Sequence, residues 1–158
     1  MLTIKQIKEA QNSQNYSQWL VDIFKHLENT NTDLLNYIQN HKGSIKGPEK
    51  VDPELVIRTV GPEPGMLNHE SLEDFQDTAN KITIKESMID QIVLLCEKFE
   101  GKYYLLDGNH TFEALKKFKL PFVNVIYTED RVIYDLLQGL KSLDSVLLSP
   151  IKNQTPFK

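Results

Sequence analysis

The sequence predicts a small α/β (α+β) domain with a mixed sheet, and three neighbouring patterns support this. A short apolar run at residues 91–96 and an aromatic-rich run at residues 103–106 flank a turn that contains glycine, which favours an antiparallel hairpin. Apolar residues then recur with helical spacing between 112 and 118. A second β-branched run at residues 123–127 completes a strand–turn–helix–strand unit.

The connection within this unit has a predicted geometry. A helix between two strands of one sheet favours a right-handed parallel crossover, so we expect residues 103–106 and 123–127 to run in the same direction. The helix should end before Pro121, since proline cannot continue it. On its surface, we expect Glu113, Lys116 and Lys117 to face water.

Upstream of this unit the chain predicts helices followed by a strand and a helix. Residues 2–42 look helical, with one apolar stripe on Trp19, Leu20, Ile23, Phe24 and Leu27. Such a stripe either packs on the main domain or binds a partner. The glycine, proline and lysine content of residues 41–53 predicts a linker. Beyond it we predict a strand at residues 55–60, a turn at 61–65, and a helix capped by Ser71 that runs to about Asn80.

These elements divide the chain into four parts. They are a helical N-terminal segment at 1–42, an α/β domain at 50–128, a C-terminal helix at 129–148 and a flexible tail at 149–158. The terminal helices are the candidate surfaces for a protein partner.

Composition narrows the function classes. The net charge of −4 argues against a dedicated DNA-binding surface. The single cysteine, Cys96, excludes an intramolecular disulfide and lies in an apolar run, where we expect a buried, inert thiol. The start of the chain does not resemble a secretory signal, and no apolar run has the length of a membrane span, so we expect a cytoplasmic protein.

The turn Asp107-Gly108-Asn109-His110 is the candidate site. It lies where a strand ends and a helix begins, so unpaired N–H groups and the helix dipole favour an anion there. Gly108 permits close approach, His110 can transfer a proton near neutral pH, and Asp107 can act as a base or hold a metal ion. The alternative is a purely structural turn with a helix cap, because Asp-Gly is common turn chemistry.

The segment IVLLCEKFEGKYYLLDGNHTFEALKKFKLPFVNVIY, residues 92–127, resembles the ParB/sulfiredoxin-like superfamily. The pattern of that family is approximately D-G-x-H-R-x-x-A, and here the matching residues are Asp107, Gly108, His110 and Ala114. The resemblance implies a nucleotide or phosphate at the turn, bound by Gly108, Asn109, His110 and Thr111. It also implies a nucleotide such as ATP, ADP or CTP, with Mg²⁺ at Asp107.

Two positions depart from the family pattern. Thr111 replaces the usual arginine, which would bind phosphate with two parallel hydrogen bonds. Another cation must then compensate, and Arg58 is our first choice among Arg58, Lys81, Lys85 and Arg131. Asn109 stands where sulfiredoxins carry a cysteine, so sulfiredoxin activity is not expected.

The resulting hypothesis is a phosphoryl transferase or phosphohydrolase that acts on a nucleotide or phosphorylated small molecule. Asp107 and His110 would take part in proton transfer. Glu86 is our choice of general base among five upstream acids, which equally fit a solvated helix face; His69 is a further residue that could approach. Two alternatives remain, namely a non-catalytic interaction module of the same fold, which Thr111 favours, and a DNA nuclease, which the acidic balance disfavours.

Overall fold

The computed structural model describes residues 2–12, 45–64, 66 and 68–129. Within these residues the protein has a mixed α+β fold, with a five-stranded mixed sheet and a two-stranded one. The helices are α1 (Ile4–Asn12), α2 (Leu72–Asn80) and α3 (Asn109–Lys116), and the strands are β1 (Ile45–Val51), β2 (Val56–Ile57), β3 (Val60–Gly61), β4 (Asn68–His69), β5 (Val93–Phe99), β6 (Lys102–Asp107) and β7 (Val123–Thr128). Short 3₁₀ turns occupy Pro53–Leu55 and Glu86–Gln91.

The larger sheet has the strand order β1-β7-β5-β6-β2. Its central strand β5 pairs antiparallel with β6 and parallel with β7. At the edges, β1 is antiparallel to β7, and the two residues of β2 are parallel to β6. The residues Val60 and Gly61 of β3 pair in parallel with β4 as a separate ribbon.

The predicted parallel crossover from β6 to β7 is wrong. Because β5 is antiparallel to β6 and parallel to β7, the strands β6 and β7 run in opposite directions. The end of β6 and the start of β7 therefore lie at the same end of the strands. A helix of 8 residues spans only about 12 Å. We infer that α3 takes the chain from β6 past β5 to β7 at this end of the strands, a distance that a short helix can span.

The predicted linker at residues 41–53 is also wrong in its second half, because residues 45–51 form the edge strand β1. The domain therefore begins before residue 50. The Gly47–Pro48 pair, which suggested a linker, lies where the register with β7 shifts between Lys46 and Glu49. Sheets tolerate proline at edge strands and bulges, since no ladder hydrogen bond is lost there.

Several local predictions are confirmed. The hairpin between β5 and β6 turns at Glu100 and Gly101, whose φ values of 50° and 78° suit the tight turn that matches strand twist. The Oγ of Ser71 accepts a hydrogen bond from the N–H of Asp74 at 3.1 Å and so caps α2. The strand predicted at 55–60 is present only as the short pieces β2 and β3.

The core lies between the sheet and α3. On one face of the sheet, alternate residues of β5, β6 and β7 pack against the buried side chains of Phe112 and Leu115 from α3. Cys96 belongs to this cluster, is fully buried, and has its pKa raised by that burial, as expected for an inert thiol. Phe118, predicted on the same helix face, is half-buried beyond the end of α3.

The chain N-terminus is attached to the central strand. The N–H of Val93 donates to the carbonyl of Leu2 at 2.9 Å, Thr3 forms an isolated bridge with Ile92, and Ile7 of α1 is fully buried. The apolar stripe at residues 19–27 and the predicted C-terminal helix at 129–148 lie outside the described residues, apart from Glu129. Among the helices described here, none has the length and apolar character needed to cross a bilayer.

The two turn glycines allow a matched stability test. Gly101 and Gly108 both have positive φ, 78° and 96°, but a Cβ at Gly101 meets nothing within 4 Å, whereas one at Gly108 would lie 2.9 Å from Cδ2 of buried Leu94. We expect Gly101→Ala to lower the free energy of unfolding by about 1 kcal/mol through backbone strain alone. Gly108→Ala should cost about 1–3 kcal/mol more because it overpacks the core.

Urea unfolding monitored by circular dichroism measures both variants. Equal losses in the two variants would contradict the close approach of Gly108 to the core.

Candidate functional site

The turn at the end of β6 has the geometry of an exposed helix start. Gly108 adopts a left-handed conformation with φ 96° and ψ 19°, and α3 begins at the next residue. No side chain caps this helix end. The carbonyl of Gly108 accepts from the N–H of Phe112 at 2.7 Å, which is the first turn of the helix. The preceding N–H groups of the first turn have no partner within the helix.

The side chain of Asn109 is engaged within the protein. It is 6% exposed, and its Oδ1 accepts hydrogen bonds from the N–H groups of Thr59 at 2.8 Å and Val60 at 3.1 Å. Its Nδ2 donates to Oγ1 of Thr59 at 3.3 Å, and that hydroxyl donates to the carbonyl of Leu105 at 2.6 Å. Since the side-chain amide is engaged with Thr59 and Val60, the predicted phosphate binding at Asn109 rests on its backbone N–H.

His110 forms a pair with Glu70. Its Nε2 lies 3.0 Å from Oε2 of Glu70, and the two side chains are 25% and 27% exposed. The imidazole also packs against the ring of Phe75, with centroids 5.0 Å apart and planes tilted by 38°. A carboxylate on one ring nitrogen favours the tautomer in which that nitrogen carries the proton. The arrangement can therefore hold His110 as a base with its lone pair on Nδ1.

Arg58 lies beside this pair and carries two carboxylates. Its guanidinium packs over the ring of Phe75, with Cζ 4.6 Å from the centroid. It makes a short ion pair with Glu63, and its Nε lies 3.6 Å from Oε2 of Glu113. Its Nη1 donates to the carbonyl of Val60 at 3.4 Å. The side chain is only 13% exposed, so it does not extend into solvent.

One surface prediction near the turn, that of Glu113, is corrected by these contacts. Glu113 does not simply face water, because its side chain is 23% exposed and one Oε2 is shared by Arg58 and Lys116. Lys116, by contrast, is exposed as predicted, as is Lys117, whose ammonium donates to Oδ1 of Asn80 at 2.7 Å.

The structure brings together only some of the predicted site residues. Arg58 and His110 both contact Phe75, and Thr111 occupies the first turn of α3. Glu86 lies exposed at the start of a 3₁₀ turn, and the acid that contacts His110 is Glu70 instead. His69 is exposed, with Nε2 3.1 Å from the carbonyl of Pro62. Lys81 and Lys85 are also exposed, and Arg131 lies outside the described residues.

Sequence reasoning counted Glu70 among the five upstream acids but chose Glu86, because 40 residues separate Glu70 from His110 and no local pattern shows that they meet. One signal was present, since Glu70 directly precedes the helix cap Ser71, whose position is set by the start of α2.

The electrostatics of Asp107 bear on the predicted Mg²⁺ site. Burial raises the pKa of Asp107, while the N–H of Gly108 and the nearby His110 partly oppose that rise. A carboxyl with a raised pKa keeps its proton to a higher pH, so a cation at Asp107 competes with the proton over a wider pH range. Within the part of the chain that the structure describes, no group of three or more His, Cys, Asp or Glu residues could hold a metal ion. The donors at the turn do not by themselves fit a resident Mg²⁺, and we derive no step through one.

A cavity of about 150 Å³ opens elsewhere, at the start of β7. Apolar side chains such as Ile92, Leu115 and Phe122 line it, with Lys50 and Asp90 as its charged members. None of the residues of the turn lines this cavity, so it is separate from the candidate site.

Comparison with known proteins does not assign the chain to a family. It matches no protein-family model, no curated protein and no solved structure.

The hydrogen bonds of Asn109 predict a large stability loss on truncation. Asn109→Ala leaves the N–H groups of Thr59 and Val60 without their acceptor. We expect the free energy of unfolding to fall by about 2–4 kcal/mol, since each buried unsatisfied donor costs about 1–3 kcal/mol. The control is Asn80→Ala at the exposed last residue of α2, which loses one surface contact with Lys117 and should change stability by less than about 0.5 kcal/mol. Chemical denaturation measures the free energy of unfolding of both variants. Similar losses in the two variants would contradict the structural role of the hydrogen bonds that Asn109 makes.

The raised pKa of Asp107 predicts a pH-dependent stability. Folding binds the Asp107 proton more tightly than the unfolded chain does, so its contribution to the free energy of unfolding falls as pH rises from its ordinary pKa of 3.8 through the raised value. Asp107→Asn removes this loss and can still accept from Gly108. We therefore expect the stability of the variant relative to wild type to increase over that pH range. Urea titrations at a series of pH values measure the difference, and a difference that does not vary with pH would contradict the prediction.

Proposed function

We propose that the protein binds a nucleotide or phosphorylated small molecule at the turn from Gly108 to Thr111 and catalyses phosphoryl transfer or phosphate hydrolysis. The observation that carries this proposal is the 3.0 Å contact between Nε2 of His110 and Oε2 of Glu70 at the start of α3. A base and the group that orients it, placed where a helix start favours an anion, is the minimum arrangement for activating a hydroxyl or water next to a phosphate.

The roles of the residues follow from this pair. A neutral His110 that donates from Nε2 to Glu70 can accept a proton at Nδ1 from the attacking hydroxyl. The imidazolium that forms would be stabilised by the carboxylate of Glu70. The free N–H groups of the first turn of α3 would bind phosphate oxygens, with the Thr111 hydroxyl as a further donor. Asp107, whose pKa is raised by burial, would assist in proton transfer beside His110.

The resemblance of residues 92–127 to the ParB/sulfiredoxin-like superfamily supports the proposal that the turn binds phosphate. The sequence features that carry it, Asp107, Gly108, His110 and Ala114, all lie at the junction of β6 and α3. Where Mg²⁺ takes part, it would arrive with the phosphates of the nucleotide, because the turn offers Asp107 as its carboxylate.

A non-catalytic binding module is the second candidate, and one observation favours it. Arg58, the cation chosen to compensate for Thr111, is already neutralised by Glu63 and Glu113. A site with this charge balance binds phosphate less strongly than one with a free arginine. Such a module would bind a nucleotide without turnover, or a protein partner through the terminal helices.

Calorimetric titration with ATP, ADP and CTP, each with Mg²⁺, tests the proposal on wild type, His110→Ala and the control His69→Ala. We expect wild type and the control to bind and His110→Ala to lose binding, because His69 is exposed and contacts Pro62 rather than Glu70. Equal binding by all three proteins, or no binding by wild type, would contradict a nucleotide site at this turn.

Phosphate release then separates the two candidates. For an enzyme, we expect Glu70→Gln to keep nucleotide affinity and to lower turnover by about a hundredfold, the range of a positioned general base. Binding without turnover in wild type supports the non-catalytic module instead.

A further inference from the structure

The guanidinium of Arg58 lies close to the ring of Phe75 and to Gly61. It stacks on Phe75, 4.6 Å from the ring centroid, and is 13% exposed. Gly61 borders the guanidinium, because a Cβ there would collide with it and lie 2.7 Å from Oε2 of Glu63. Any side chain at position 61 would therefore disturb the pair of Arg58 and Glu63.

The two carboxylates on Arg58 are held differently. Glu113 belongs to α3, is 23% exposed, and shares its Oε2 between Arg58 at 3.6 Å and Lys116 at 3.5 Å. Glu63 lies in the segment between β3 and β4 and is 45% exposed. Its carboxylate forms an ion pair with Nη2 of Arg58. Burial raises the pKa of Glu63, but a backbone hydrogen bond, the hydrogen bond to Arg58 and the charges of Arg58 and Lys116 together lower it below its ordinary value. Glu63 is thus the outer, ionised and replaceable partner.

The charges of this group balance only while Glu63 is present. Arg58 and Lys116 contribute two positive charges, and Glu63 and Glu113 contribute two negative ones. If the carboxylate of Glu63 moves away, one positive charge remains beside Glu113. Nη2 of Arg58 would then lose its carboxylate partner.

We propose that Arg58 and Lys116 form the subsite for a phosphate group of the ligand, and that the carboxylate of Glu63 occupies this subsite until the phosphate displaces it. This inference rests on the proposed function, since it names the residues that recognise the phosphate beside His110. A phosphate has more charge and more acceptor oxygens than a carboxylate and can bind a guanidinium with two parallel hydrogen bonds. An ion pair with an exposed partner contributes little to the free energy of folding. Replacing the carboxylate of Glu63 by a phosphate therefore costs little stability.

Titration of inorganic phosphate at low ionic strength tests the subsite, with binding followed by calorimetry and by the NMR signal of the Arg58 Nε–H group. We expect Glu63→Gln to bind phosphate about fivefold to tenfold more tightly than wild type, because it lacks a competing exposed ion pair. The control Glu54→Gln removes the same charge from an exposed position on a 3₁₀ turn and should match wild type. In the double variant Arg58→Gln, Glu63→Gln, the gain should be lost.

Two results would overturn the proposal. One is equal phosphate affinity in wild type and Glu63→Gln, and the other is a gain that persists without Arg58. Thermal unfolding confirms that each variant is folded, and Glu63→Asp, which keeps the charge on a shorter side chain, gives a second measure with an expected intermediate affinity.

The outcome is separable from that of the proposed function. If nucleotide binding requires His110 but is indifferent to Glu63, the proposed function stands and the subsite is wrong. If Glu63→Gln strengthens phosphate binding through Arg58 while His110→Ala leaves nucleotide binding unchanged, the subsite stands and the site at the turn is wrong.

Discussion

The candidate site depends on the hydrogen bonds that one buried amide makes across the fold. Asn109 begins α3, and its Oδ1 accepts from two consecutive N–H groups, those of Thr59 and Val60. The neighbouring strands β2 and β3 have two residues each and supply few ladder bonds of their own. Asn109, together with the hydrogen bond from the Thr59 hydroxyl to the carbonyl of Leu105, therefore fixes the segment that carries Arg58 to the end of β6.

Elements set by neighbouring residues could be predicted from the sequence. The hairpin, the Ser71 cap, the helix after Gly108 and strand β7 each follow from turn chemistry or a short apolar pattern, and all are present. The special character of the turn was visible as well, because a glycine between a strand and a helix indicates a left-handed residue. The contacts of the turn residues could not be predicted. The side chain of Asn109 accepts hydrogen bonds from the backbone of Thr59 and Val60.

Features set by distant residues could not be predicted. The direction of β7 depends on its choice of β5 rather than β6 as neighbour, and a strand–helix–strand pattern does not show which strand is chosen. Strand β1 was hidden by Gly47 and Pro48, since only pairing with β7 makes that segment extended. Glu70 was passed over for the same reason, because the acid that reaches His110 is selected by the packing of α2 against α3.

The packing of α2 also explains why the acid–base pair and the cationic subsite belong together. Glu70 immediately precedes the Ser71 cap, so the start of α2 sets its position, and Phe75 one turn later contacts both His110 and Arg58. A shift of α2 would thus move the partner of His110 and the support of Arg58 together. Since helix positions are fixed by packing and caps, a ligand that binds Arg58 would also meet a His110 whose orientation is already set.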